Sequence, residues 1–335
     1  MDIAEAKDFY LTGFARLEQE LADGGRSWSR EMRRAAISRF AALGFPTTRD
    51  EEWKYTSIAP IVKVPFNPGR HELDGRTREQ IKRLDLGMLA ENQLVFINGH
   101  FSAELSRLGR LPDGVVAGSL AAAMSESEGK MERYLGRCAD YAGHSFVALN
   151  TALMEDGAFL FVPQGRVLEK PLHLLFIAAA PDGATVSHPR SLIVMDSGGQ
   201  ATVVESYLGF ERAVYFTNGV TEIVVGENGV LDHYKIQMES AAAFHVATHQ
   251  VHLDRSSNFS SHSIALGGAL ARNEINVALD GEGGECVLNG LYVASGQQHI
   301  DNHTRIDHVK AHCNSREHYK GILGGRSRGV LWRCW

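Results

Sequence analysis

Six side chains in one short run, His299, His303, His308, His312, Cys313 and His318, are of the types that hold transition metals. Imidazole and thiolate are ordinary ligands for zinc and iron, so metal binding is the first chemistry to weigh. Their spacing argues against it. On an unbroken strand His299, His303 and Cys313 share one face, while His308, His312 and His318 lie on the other. A helix would pair His299 with His303 and His308 with His312. However, Asp301-Asn302, the β-branched Thr304 and Ile306, and Asn314-Ser315 make a poor helix. Turns could reunite the histidines, but the run has no fixed ligand spacing. The favoured reading is solvated or interface histidines, and no metal ligand is assigned.

Other candidate chemistry is sparse. Cys286 follows the turn Gly283-Gly284-Glu285 and precedes Val287-Leu288, the setting of a buried structural thiol, with a sulfur-acceptor role as the alternative. Cys138 sits in a polar helical context. The four cysteines (Cys138, Cys286, Cys313, Cys334) show no CxxC spacing, which suits reduced thiols better than a disulfide framework. There is no GxSxG elbow, no GxxxxGK[ST] phosphate loop and no HExxH. Gly321-Ile322-Leu323-Gly324-Gly325 lacks the lysine and the strand-to-helix setting of a phosphate loop, and carboxylate pairs such as Glu51-Glu52 occur on any surface. No catalytic residue is assigned, and cofactor-binding residues stay undetermined.

The element that must position any site is a ladder of short strands from about Gly143 to Gly329. Ile275, Val277 and Leu279 interleave with Asn276, Ala278 and Asp280; Val230, Tyr234, Ile236 and Met238 are set against His233, Lys235, Gln237 and Glu239. A side-chain period of two puts each set on its own sheet face. Polar turns recur at Gly157, Gly199, Gly229, Asn258 and Gly284, spaced 42, 30, 29 and 26 residues apart. A degenerate repeat of that size predicts stacked rungs, and no long amphipathic helix separates the strands. The expected fold is mainly β: a right-handed parallel β-helix-like solenoid core behind an N-terminal α-helical and mixed region. A sandwich is the competing reading.

Before the ladder, Ile3 to Leu21 and Ser29 to Leu43 read as helices, the second capped by Ser27 or Ser29 and ended by Gly44 before Pro46. Thr48 to Thr56 reads as a charged loop anchored by Trp53 and Tyr55. Pro60 to Gly75 looks like a connector, Thr77 to Leu86 a short helix, Leu94 to Gly99 a strand, and Ser119 to Cys138 a pair of short helices. The division expected is 1–142 for the N-terminal region, 143–330 for the core and 331–335 for a tail.

The bulk numbers exclude some classes. A net charge of −6 over 335 residues argues against a nucleic-acid-binding surface. The run Leu172 to Ala180 includes His173 and is too short to span a bilayer, and Met1 to Tyr10 is polar and acidic rather than a signal peptide. The expectation is a soluble cytoplasmic protein without a membrane partner.

Three groups of residues carry a family resemblance. Arg49-Asp50-Glu51-Glu52-Trp53-Lys54-Tyr55-Thr56 resembles the N-terminal signature of the SufD family of the SUF iron–sulfur cluster assembly system. Gly143 to Asn150 and Pro163 to Leu172 are similar to the start of that family's β-helix core. His299 to Thr304, Cys313 to Glu317 and Tyr319 to Leu323 are similar to its last core rungs. The SufB subunit shares the core, and the N-terminal signature favours SufD. The resemblance implies a non-catalytic scaffold subunit that pairs with a SufB-like subunit and a SufC-like ATPase. Its cargo would be a transient iron–sulfur cluster or iron at the complex interface. Residues 331–335 resemble nothing in the family, so the helical part that docks the ATPase is expected to be missing. The runner-up is a metal-dependent enzyme, or a carbohydrate-active β-helix enzyme, though secreted enzymes of the latter kind carry signal peptides.

Overall fold

The computed structural model describes residues 2–20, 27–70, 91–126, 129–180 and 183–334, together with positions 75, 78, 79 and 81. The expected helix over Thr77 to Leu86 lies mostly outside the described residues. The chain is 22% helical and 44% strand, and it winds into a β-solenoid of about six turns.

Each turn contributes one strand to each of two facing sheets. The first sheet runs through β4 (Val116–Ser119), β5 (Ala158–Val162), β8 (Arg190–Met195), β10 (Tyr215–Val225), β12 (Phe244–Leu253), β14 (Leu270–Leu279), β16 (His299–His308) and β18 (Arg328–Cys334). β1 (Asn67–Pro68) joins its side through β7 (Thr185–Ser187). The second sheet runs through β3 (His100–Phe101), β2 (Asn92–Ile97), β6 (Val167–Ala178), β9 (Gln200–Gly209), β11 (Val230–Met238), β13 (Asn258–Ala265), β15 (Glu285–Ala294) and β17 (Asn314–Leu323). From β5 onward the core ladders are parallel, and from β8 onward successive strands alternate between the sheets, so the chain coils instead of folding back in hairpins. β18 extends through Cys334, in register on β16, so residues 331–334 belong to the ladder.

A column of turns holds the rungs together. Gly198, Asn228, Ser256, Gly283 and His312 all have positive φ, conformations that glycine and asparagine adopt most readily. The backbone N–H of each of the first four donates to the next rung: to Glu227 O (2.7 Å), Arg255 O (2.9 Å), Glu282 O (2.9 Å) and Ala311 O (3.3 Å). These corners sit beside the turns that the sequence repeat marks.

The N-terminal region covers the outer face of the first sheet. It includes α1 (Ile3–Glu20) and α2 (Ser27–Leu43), the latter ended by Gly44, whose N–H reaches Phe40 O at 2.8 Å. The short α3 (Ala59–Val62), α4 (Leu120–Glu126), α5 (Lys130–Tyr134) and α6 (Ser145–Leu153) complete it. Tyr10, Phe40, Phe45, Trp53 and Phe146 pack with Phe216 and Phe244 of the sheet into one apolar cluster. β10 is therefore buried on both faces, as strands of a covered parallel sheet are.

α6 occupies the head of the stretch expected to be strands. Its residues Phe146 to Ala152 are all buried, an apolar run that periodicity cannot assign to helix or strand. Asn150 pins the helix to the solenoid by donating from Nδ2 to Pro189 O (2.9 Å) and Asn218 O (2.8 Å). Arg33 of α2 bonds the carbonyls of Ala152 and Met154 at its C-terminal end.

Candidate functional site

The interior of the solenoid changes character along its axis. At one end Phe96 of β2 stacks on Phe176 of β6 (4.8 Å between centroids), and Phe176 stacks on Tyr207 of β9 (4.9 Å). The next residue of this ladder is Gln237 of β11, and Lys235, two residues earlier on the same face, places its Nζ 5.3 Å from the Tyr207 ring centre. β11 is inverted relative to ordinary hydropathy: Leu231, His233, Lys235 and Gln237 are buried, whereas Tyr234 and Met238 are exposed. The period of two expected here holds, with the polar set facing inward.

Those inward groups bond one another. Lys235 Nζ donates to Asn273 Oδ1 (2.6 Å) and lies 3.1 Å from His245 Nε2. His245 Nδ1 lies 2.9 Å from Glu239 Oε2, which also accepts from Gln237 Nε2 (2.8 Å). One rung pair away, Glu205 of β9 sits between two histidines. Its Oε2 is 2.9 Å from His233 Nε2 and 2.7 Å from His249 Nε2 of β12. Its Oε1 accepts from Thr221 Oγ1 at 2.9 Å, and His233 Nδ1 is 3.1 Å from Ser261 Oγ. All three residues are buried. Burial opposes ionisation of Glu205, but the two imidazoles outweigh it and hold the carboxyl well below its usual range. Burial depresses His249 to about 4, against the pull of Glu205.

The histidine run lies elsewhere and is not gathered. His299 Nε2 is 2.7 Å from Thr56 Oγ1, and His303 Nε2 accepts from Arg272 Nη1 at 2.9 Å. His308 meets Ser315 Oγ at 2.9 Å, His312 forms an exposed corner, and His318 is exposed on β17. Cys313 Sγ donates to Gly281 O. Among the described residues, the one group of three or more ligand-type side chains with donor atoms within 4.8 Å of one another is Glu205, His233 and His249. Cys286 is buried, and burial with Glu317 nearby pushes its thiol up to about 12; burial does the same for Cys138, with Glu222 adding to it. Neither is a ready nucleophile.

The signature at 49–56 docks the N-terminal region onto the outside of the first sheet. Trp53 is buried with its ring 3.9 Å from the Arg272 guanidinium carbon, while Tyr55 is exposed, so one aromatic anchors the loop where two were expected. Arg272 donates to Asp301 Oδ2 (2.6 Å) and from Nε to Glu274 Oε1 (2.9 Å), and Thr56 Oγ1 donates to Asp301 Oδ2. Thr56→Val keeps the shape but strands His299 Nε2 and removes a bond to a charged acceptor. The expected loss is about 1–3 kcal/mol of stability, read as a lower urea midpoint; an unchanged midpoint would refute this role for the hydroxyl.

The sequence reading missed Glu205, His233 and His249 because they lie far apart in the chain, with His249 44 residues beyond Glu205. The usable signal was rung arithmetic. Lys235 pairs with Glu205 and His249 with Thr221 in the ladders, so residues about one repeat apart stack.

The fold defines a class: a two-sheet β-solenoid with a helical N-terminal cover and a polar interior. Residues 176–332 match the SufBD core domain of SUF system FeS cluster assembly, and residues 4–174 match the SufBD protein N-terminal region. The chain belongs to the SufBD family. It is 29% identical to an iron–sulfur cluster assembly SufBD family protein of Synechocystis, over 89% of this chain and 67% of that protein. It is 26% identical to the iron–sulfur cluster assembly protein SufD of Escherichia coli (88% and 66% covered) and 25% identical to SufD of Bacillus subtilis (89% and 68%). The chain thus spans about two thirds of the length of these relatives. Among the described residues no helix is long and apolar enough to cross a membrane.

Proposed function

We propose that this chain is a SufD-like scaffold subunit in iron–sulfur cluster assembly, with no chemical step of its own. In this reading it works in the cytoplasm, pairs with a SufB-like chain and serves a complex driven by a SufC-like ATPase, with iron and sulfur as cargo. The observation that carries the proposal is the pair of family matches, which between them reach from residue 4 to residue 332 and take in both the helical cover and the solenoid. The signature loop supports it, since Trp53 and Thr56 act in docking the N-terminal region rather than in catalysis. Burial of the Glu205 cluster supports a scaffold over an enzyme, because it leaves no approach for a substrate of any size.

The test is co-expression of this chain with SufB-like and SufC-like chains of the same organism, followed by capture through a tag on this one. Recovery of the SufB-like chain, with or without the ATPase, is the expected result. Recovery of neither partner, from a sample that melts cooperatively by circular dichroism, would overturn the proposal.

A further inference from the structure

The geometry points to a divalent transition-metal site inside the solenoid, with Glu205, His233 and His249 as its ligands. Two imidazoles and one carboxylate are a donor set for zinc or ferrous iron, and three protein ligands leave positions open for water. Glu205 Oε2 and the two Nε2 atoms already converge, at 2.9 and 2.7 Å. The ligands stand on β9, β11 and β12, strands locked in parallel register by their neighbours, so the donors are positioned by the ladder and not by a loop.

The groups behind the ligands suit this role. Thr221 Oγ1 holds the other carboxylate oxygen, and Ser261 Oγ meets the far nitrogen of His233. Such outer bonds fix ring orientation and tautomer in metal centres. A hydroxyl both donates and accepts, so Ser261 serves either protonation pattern of His233. Without metal the Nε2 proton of each imidazole points at Glu205; with metal that proton moves to Nδ1, and none is released if both rings are neutral.

Charge supplies a further reason. Among the described residues, no lysine or arginine bonds the Glu205 carboxylate. Lys235, the nearest buried cation on the same face of β11, is committed to Asn273 and His245. A divalent ion would place positive charge directly on a buried carboxylate that no lysine or arginine bonds.

The whole chain is unfolded in chelator and refolded with cobalt(II), zinc or anaerobic ferrous iron, since the closed site fills most readily during folding. About one ion per chain should survive desalting, with cobalt giving visible ligand-field bands. Glu205→Gln and His249→Gln, each checked for folding, should lose binding at least about tenfold, and Ser261→Ala should weaken it about 10–100-fold. His308→Ala, at an exposed residue of the histidine run, should bind like the parent. A parent chain that retains no ion overturns the proposal, as do folded Glu205 and His249 variants that bind normally. If those variants do not refold, X-ray absorption of the cobalt-loaded parent decides: imidazole scattering supports the site, and sulfur ligation or an all-oxygen shell overturns it.

Discussion

Glu222→Ala is expected to cost the chain about 3–5 kcal/mol, the usual penalty for removing one partner of a buried ion pair. Arg190 of β8 and Glu222 of β10 are both closed to solvent, with Arg190 Nη2 2.6 Å from Glu222 Oε1. Arg190 Nη1 also donates to Asn150 Oδ1 and Thr151 Oγ1, both at 3.1 Å, so the pair ties α6 to the first sheet. Glu222 accepts the backbone N–H groups of Gly136 (2.8 Å), Cys138 (3.0 Å) and Ala139 (3.1 Å). Alanine would leave the buried guanidinium and the N–H donors of Gly136, Cys138 and Ala139 without this acceptor, the last of them fully buried. The measurement is urea unfolding followed by circular dichroism. Glu222→Gln, which keeps the acceptor oxygen but not the charge, should fall between parent and alanine variant. A Glu222→Ala midpoint equal to the parent's would show that the pair does not hold the cover in place.

That network also shows what the sequence could reveal. The ladder was legible because alternation and turn chemistry are local properties. Ile275, Val277 and Leu279 do face inward, and the corners at Asn228 and Gly283 lie at marked turns. What alternation leaves open is which face is the interior. In β11 the inward set is Leu231, His233, Lys235 and Gln237, an assignment that hydropathy would reverse. It is tolerable only because groups on other rungs satisfy them: Glu205 and Ser261 for His233, Asn273 and His245 for Lys235. Such partners become visible only once the register is known. The histidine run, read as solvated or interface histidines, is scattered for the converse reason: its members are close in sequence, but His299 bonds Thr56 of the N-terminal region, His303 bonds Arg272, Cys313 bonds Gly281 O, and His308, His312 and His318 are exposed. The signature at 49–56 could be located but not interpreted, since Arg272 and Asp301 lie more than two hundred residues further on.

Acid should destabilise this chain well before its carboxylates titrate. Burial, with Arg107 adding to it, lowers His173 to about 4, and burial lowers His188 to about 3. His173 is buried on the outer face of the second sheet, 2.8 Å from Ser206 Oγ and 3.1 Å from Gln93 Nε2. His188 Nδ1 accepts from Asn218 Nδ2 at 3.2 Å, and its Nε2 is closed off against Tyr10, without a hydrogen-bond partner among the described residues. Both rings titrate near 6.5 in an unfolded chain. Below that pH the unfolded state takes up protons that the folded state refuses. The stability of the neutral rings is therefore complete above about pH 6.5 and is lost as pH falls towards 4 and 3. At pH 5 each histidine accounts for about 2 kcal/mol, or about 4 kcal/mol for the pair. His249, held at about 4, and His245 and His299, also lowered by burial, act in the same direction and add to this, while Glu317, raised by burial, acts in the opposite one. Carboxylates held low by partners, such as Asp301, join only below their own unfolded values, so the interval from pH 7.5 to 5.0 isolates the histidines. Urea unfolding at those two pH values measures the difference. His188→Asn, which keeps an acceptor for Asn218, should flatten the acid limb by about one proton. Equal stability at both pH values, or a His188→Asn profile parallel to the parent's, would mean that these rings are protonated in the folded chain and that water reaches them.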